Sequence, residues 1–117
     1  METLKELSAH CVIKSDRLGS KGTYVLTFNF GRAVTTLRTQ IAETPHSNLT
    51  ITNMTTLPES ERRHGHGTEA LRILLYFARK GGYQDLYAVQ VQKESESFWI
   101  KNGFVPCGNR TNDFVYR

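Results

Sequence analysis

Cysteine is nearly absent from this chain. Cys11 and Cys107 are the only two among 117 residues; they make no metal motif and read as free thiols of a reducing compartment. Long apolar runs are missing too. No stretch approaches the roughly 20 residues that a membrane-spanning helix needs, and the segment after Met1 has neither the apolar core nor the cleavage site of a signal peptide. A cytoplasmic protein that enters no membrane is therefore expected, and the tripeptides beginning at Asn48, Asn53 and Asn109 then match the glycosylation pattern only by chance. There are three prolines, no repeat, no low-complexity stretch and no Pro/Ser-rich linker. With 38% hydrophobic residues, residues 1–117 are expected to form a single domain around one core.

Charge is present in modest excess. The net charge of +4 and isoelectric point near 9.3 fit attraction to an anionic ligand or an acidic surface. Apart from Arg62-Arg63 the basic residues are scattered, and no nucleic-acid-binding motif accompanies them.

The first half of the chain has period two. Residues 23–30 alternate Tyr24, Leu26, Phe28 and Phe30 against Val25, Thr27 and Asn29, and residues 34–42 and 48–57 are rich in Thr, Ile and Leu. These predict successive antiparallel strands. Residues 9–14 add a further strand, residues 1–7 a fraying helical turn or disordered start, and residues 113–116 a last edge strand. In the second half the period becomes helical. Ala70, Leu71, Leu74, Leu75 and Ala78 form one apolar face, and Lys80-Gly81-Gly82 supplies a cation and glycine at the helix end. Residues 86–91 follow as a short apolar strand, then residues 95–102 as about two helical turns. The strand–helix–strand order predicts a right-handed crossover with its ligand end at the strand C-termini.

The turn before the long helix is the most informative segment. Arg62-Arg63-His64-Gly65-His66-Gly67-Thr68 sets two glycines around His66, so the backbone can bend and approach a ligand closely. The helix that follows directs unpaired N–H groups and its positive dipole end at the same place, which suits a pyrophosphate. Arg62, Arg63 and protonated His64 and His66 would add positive potential. A basic loop that simply starts a helix is the plainer alternative. The His-x-His pair lacks a third ligand at metal-site spacing, so no metal is expected.

Two motifs in sequence resemble the GNAT N-acetyltransferases. The turn fits Gln/Arg-x-x-Gly-x-Gly/Ala through Arg62, Gly65 and Gly67. Residues 98–104, Phe98-Trp99-Ile100-Lys101-Asn102-Gly103-Phe104, fit Phe-Tyr-x-Lys-x-Gly-Phe except that Trp99 replaces Tyr. The resemblance covers about half the chain strongly. It implies an α/β (α+β) fold with a mixed, mostly antiparallel twisted sheet, a central crossover helix and a short C-terminal helix. It also implies acetyl-CoA as co-substrate: Thr55, Thr56 and Leu57 beside the pantetheine arm, Arg62 and the amides of Arg63, His64, Gly65, His66, Gly67 and Thr68 at the pyrophosphate, Phe98 and Trp99 around the thioester. The paired helices that such domains carry after their first strand have no counterpart between residues 15 and 22. That departure implies an open acceptor side, suited to a macromolecular substrate or completed by a second subunit.

The implied chemistry is direct transfer of acetyl to a primary amine, without a covalent enzyme intermediate. An amine of pKa about 10.4 must lose its proton first, a cost of about 4.6 kcal/mol at pH 7. Residues 48–57 contain no carboxylate, which leaves Glu61 and Glu59 as the nearest candidate bases, or as solvated charges offsetting Arg62 and Arg63. Trp99 cannot protonate a leaving thiolate as the family Tyr does, although its indole N–H can donate to the sulfur. Ser95, one helical turn earlier, is the other candidate acid, or an ordinary helix-start residue. Three functions stay open: an acetyltransferase acting on a protein amine, a catalytically silent GNAT-fold protein that occupies a partner, and an enzyme acetylating an aminoacylated RNA.

Overall fold

The computed structural model describes residues 2–16, 22–42, 48–108 and 111–117. Its elements run α1 (Glu2–Leu7), β1 (Val12–Ser15), β2 (Thr23–Asn29), β3 (Val34–Ile41), β4 (Leu49–Leu57), α2 (His66–Lys80), β5 (Leu86–Ala88), α3 (Glu96–Lys101), β6 (Val105–Pro106) and β7 (Phe114–Tyr116). Single 3-10 turns, Glu59–Glu61 and Lys93–Ser95, precede α2 and α3. The seven strands form one sheet in the order β1-β2-β3-β4-β5-β7-β6, and only β4 and β5 run parallel.

Alternation along the strands decides which face is covered. In β3, Thr35, Leu37, Thr39 and Ile41 are buried while Val34, Arg38 and Gln40 are exposed. Cross-strand partners put Leu26 and Phe28 of β2 on the same face, and Leu49 and Ile51 of β4 join them in one core. Ala70, Leu71, Leu74 and Ala78 of α2 fill that core from above, as the helical period predicted. Its two central buried hydroxyls are satisfied: Thr39 donates to the Tyr24 carbonyl (3.1 Å) and Thr35 shares a hydrogen bond with Thr56 (2.8 Å).

The end of α2 is fixed from three directions. Gly81 donates its amide to the Phe77 carbonyl (2.9 Å), and Gly82 turns the chain with φ 91°. A Cβ on Gly81 would lie 2.1 Å from Thr3 Oγ1, so glycine here lets α1 pack against α2. The Tyr83 hydroxyl then donates to the Ala42 carbonyl at the end of β3; burial, with Tyr24 nearby, pushes its pKa up. Burial likewise pushes the Cys11 thiol up to about 11, where it donates to the Leu7 carbonyl (3.4 Å) and stays protonated.

Three elements differ from the sequence expectation. The first residues are a helix docked through fully buried Leu7, not a frayed start. β7 is an interior strand, with β6 outside it as the sheet edge. Phe114 and Val115 are both buried, the signature of a strand covered on both faces, and a two-residue edge strand ending in Pro106 leaves no period to read. β5 stops at Ala88 rather than residue 91, because Gln90 takes a left-handed backbone (φ 53°). The expectation that no paired helices follow the first strand falls on residues 15–22, of which 17–21 lie outside the described residues.

Leu74, fully buried at the centre of α2, tests this core. Leu74→Ala should lower stability by about 2–5 kcal/mol in urea unfolding, whereas Tyr76→Ala, at a position 62% exposed on the outer face, should stay within about 0.5 kcal/mol.

Candidate functional site

The site begins with a mismatch in strand length. β5 pairs only with Leu49–Ile51 of β4, and the Val89 amide makes a last bond to the Ile51 carbonyl (3.1 Å). β4 continues six residues further, to Leu57, over about 20 Å. Along that length β3 pairs with one side of β4, and no strand among the described residues pairs with the other. A bulge sits where the two parallel strands part: Arg38 faces Asn53 and Thr39 faces Ile51, so Thr52 is an extra residue, its hydroxyl donating to the Arg38 carbonyl (3.2 Å). Such a bulge bends the strand and interrupts its pairing. The consequence is a cleft walled by β4 and by the chain leaving β5.

The open edge of β4 runs into the N-terminus of α2. Gly65, with φ 88°, is the N-cap, and its carbonyl accepts the first helical bond from the Glu69 amide (3.0 Å). No side chain caps the helix, so the amides of His66, Gly67 and Thr68 have no intrahelical partner. Gly65 is the glycine that the backbone requires. Gly67 is already helical and serves a different purpose: a Cβ there would touch Phe98 Cε1 (3.4 Å) and Met54 Cε (3.5 Å). The structure thus brings the glycine turn, β4 and the Phe98 segment together at one point.

The charged side chains of the turn are largely engaged with one another. Arg62 folds back, donating Nε to the Thr56 carbonyl (3.1 Å) with Nη1 3.5 Å from Glu59. Glu61 lies 3.7 Å from His66 Nε2, and His66 stacks on Phe30 (5.5 Å) in the β2–β3 turn, with His64 6.5 Å away. His66 is thereby turned towards the β2–β3 side of β4, the side opposite β5. Arg63 holds φ 69° and is exposed. Among the described residues no three His, Cys, Asp or Glu side chains converge as a metal site.

Other candidates are placed as follows. Thr55 and Thr56 are half-buried on β4 and Leu57 is exposed at its end. Thr68 lies half-buried in the first turn of α2. Ser95, half-buried, is the N-cap of α3 but makes no side-chain capping bond. Trp99 is only 6% exposed, edge-on to both Phe98 (5.2 Å) and Phe104 (5.0 Å). It fills the core, and Phe98 is the aromatic that reaches α2. Sequence reading missed Met54, Phe30 and the pair Gln90–Asp113, since none lies in a motif.

No family model matches the sequence, and no curated protein matches it. Solved structures do. Nourseothricin acetyltransferase superposes with a TM-score of 0.60 at 18% identity, over 80% of this chain and 63% of that one. A mutant of the AtaT toxin, bound to the C-terminus of the antitoxin AtaR and acetyl-CoA, gives 0.52 at 17%, over 80% and 66%. Ard1 from Thermoplasma volcanium gives 0.52 at 18%, over 81% and 68%. The chain thus spans just under two thirds of the length of nourseothricin acetyltransferase, and its fold is that of the GNAT acetyltransferases.

The burial of Trp99 has a measurable consequence. Trp99→Phe should cost about 1–3 kcal/mol in chemical unfolding.

Proposed function

We propose that this GNAT-fold chain is an acetyl-CoA-dependent N-acetyltransferase. The observation that carries the reading is the unpaired edge of β4 running into the uncapped amides of α2, with Phe98 and Met54 packed at Gly67. The α2 amides suit a pyrophosphate, and the exposed strand edge suits an extended arm carrying amides of its own. Fold likeness to a protein solved with acetyl-CoA supports the same choice. When bound, acetyl-CoA supplies an activated acyl group; the amine nitrogen attacks its carbonyl carbon, the carbon–sulfur bond breaks, and the amine proton leaves as the thiolate takes one up.

The acceptor we assign is an amine on a protein. Support comes from Arg38, Gln40 and Asn53, which are exposed on the sheet face opposite α2, and from a neighbour solved with a protein partner. A second copy closing that face, or an aminoacylated RNA as acceptor, are the alternatives to this assignment. We assign Glu61 to holding His66 rather than to proton transfer, because its carboxylate faces His66 (3.7 Å), whose ring stacks on Phe30. Ser95 stands as the candidate donor to the thiolate. Burial of Trp99 favours one second reading, a GNAT-fold protein that binds acyl-CoA and a partner without turnover.

Titration calorimetry with acetyl-CoA tests the cofactor, and acetylation of added peptides, followed by mass spectrometry, tests turnover. One-to-one binding with acetylated peptide is the expected result; binding without product from any amine tried would select the silent reading, and no binding would overturn both. Gly67→Asp places a carboxylate at the first turn of α2, where it complements the helix dipole but meets Phe98 and Met54, so circular dichroism must first show the native fold. The substitution should weaken acetyl-CoA binding more than about tenfold, equivalent to about 1.4 kcal/mol, and unchanged affinity would remove the pyrophosphate from this turn.

A further inference from the structure

Among the described residues, two besides glycine hold a left-handed backbone: Arg63 (φ 69°) and Gln90 (φ 53°). Arg63 lies just before α2 and Gln90 two residues past the end of β5. A residue with a Cβ stays in this region when its surroundings hold it there. At Gln90 the hold is visible. Its amide donates to Asp113 Oδ1 (2.9 Å), while Asp113 Oδ2 accepts from the Thr111 hydroxyl (2.8 Å). The neighbours reinforce it: the Val91 amide donates to the Asn112 carbonyl (2.9 Å), the Asn112 side-chain amide donates to the Val91 carbonyl, and the Cys107 amide donates to the Asp113 carbonyl (2.9 Å). The chain leaving β5 is thereby clamped to the segment entering β7, with one carboxylate on the strained amide.

We propose that Asp113 is a positioning residue that fixes Gln90 as a rigid lip at the closed end of the cleft, where it meets the acyl group of a bound thioester. The assignment rests on the acyl-CoA reading above. A ligand with its phosphates at the α2 amides, lying along β4 from Leu57 towards Thr52, has its far end where the Val89–Ile51 bond closes the cleft. Gln90 is the next residue. A lip at that corner bears on the acyl end and leaves the phosphate end untouched, so its effect is on acetyl-CoA relative to CoA.

Calorimetric affinities for acetyl-CoA and CoA test this on the whole chain. Asp113→Ala should weaken acetyl-CoA at least about fivefold while CoA stays within about twofold, a difference of the size one hydrogen bond commands. Asp113→Asn keeps an oxygen for the Gln90 amide and should keep the preference. Gln90→Gly added to Asp113→Ala should restore part of it, because glycine holds the left-handed conformation without a clamp. If Asp113→Ala does not fold by circular dichroism, Gln90→Val provides the break from the other side, since a β-branched residue resists this conformation, and loss of the acetyl-CoA preference is again expected. Equal weakening of both ligands, an unchanged preference in the variant that folds, or no recovery with Gln90→Gly would overturn the assignment while leaving the cofactor reading intact. If the unaltered protein binds neither ligand, the cofactor reading fails and takes this assignment with it.

Discussion

The parting of two parallel strands is the constraint on which the site depends. β4 and β5 share three residue pairs and then separate, and everything placed around the cleft follows from the six residues of β4 that remain. A strand edge with unpaired peptide groups invites another extended chain. Here α2 starts at the end of that edge, Phe98 and Met54 meet Gly67 at its base, and a bulge at Thr52 marks the point of divergence.

Much of this was legible in the sequence. Period two in residues 23–30 and 34–42, and period 3.6 in residues 70–78, each report a single buried face, and β2, β3 and α2 do pack their apolar faces into one core. The glycine turn was legible because Gly65 sits in a conformation that side chains resist. Its partner Gly67 was legible as a motif but not as physics. Gly67 packs beside Phe98, 31 residues further on, and no local pattern records a tertiary contact.

Other features were hidden for reasons that can be named. Trp99 occupies the motif position of a tyrosine, yet its indole is buried between Phe98 and Phe104; spacing identifies a helix face but not how deeply it is set. Residues 86–91 look like a continuous strand, and the left-handed turn at Gln90 is accompanied by contacts to Asn112 and Asp113 on another strand's approach. Glu61 reads from sequence as a candidate base or a charge offsetting Arg62 and Arg63, and its approach to His66 (3.7 Å) lies outside what that pattern records. In each case the deciding contact is long-range or one helical turn away.

The account stands on one claim, that an acyl-CoA lies along the free edge of β4 with its phosphates on α2. Backbone amide spectra of the labelled protein, recorded by nuclear magnetic resonance during titration with CoA, test it directly. The amides of His66, Gly67 and Thr68 should shift together, and amides between Thr52 and Leu57 should gain protection from hydrogen exchange. Shifts confined to other surfaces, or none at saturating CoA, would contradict it.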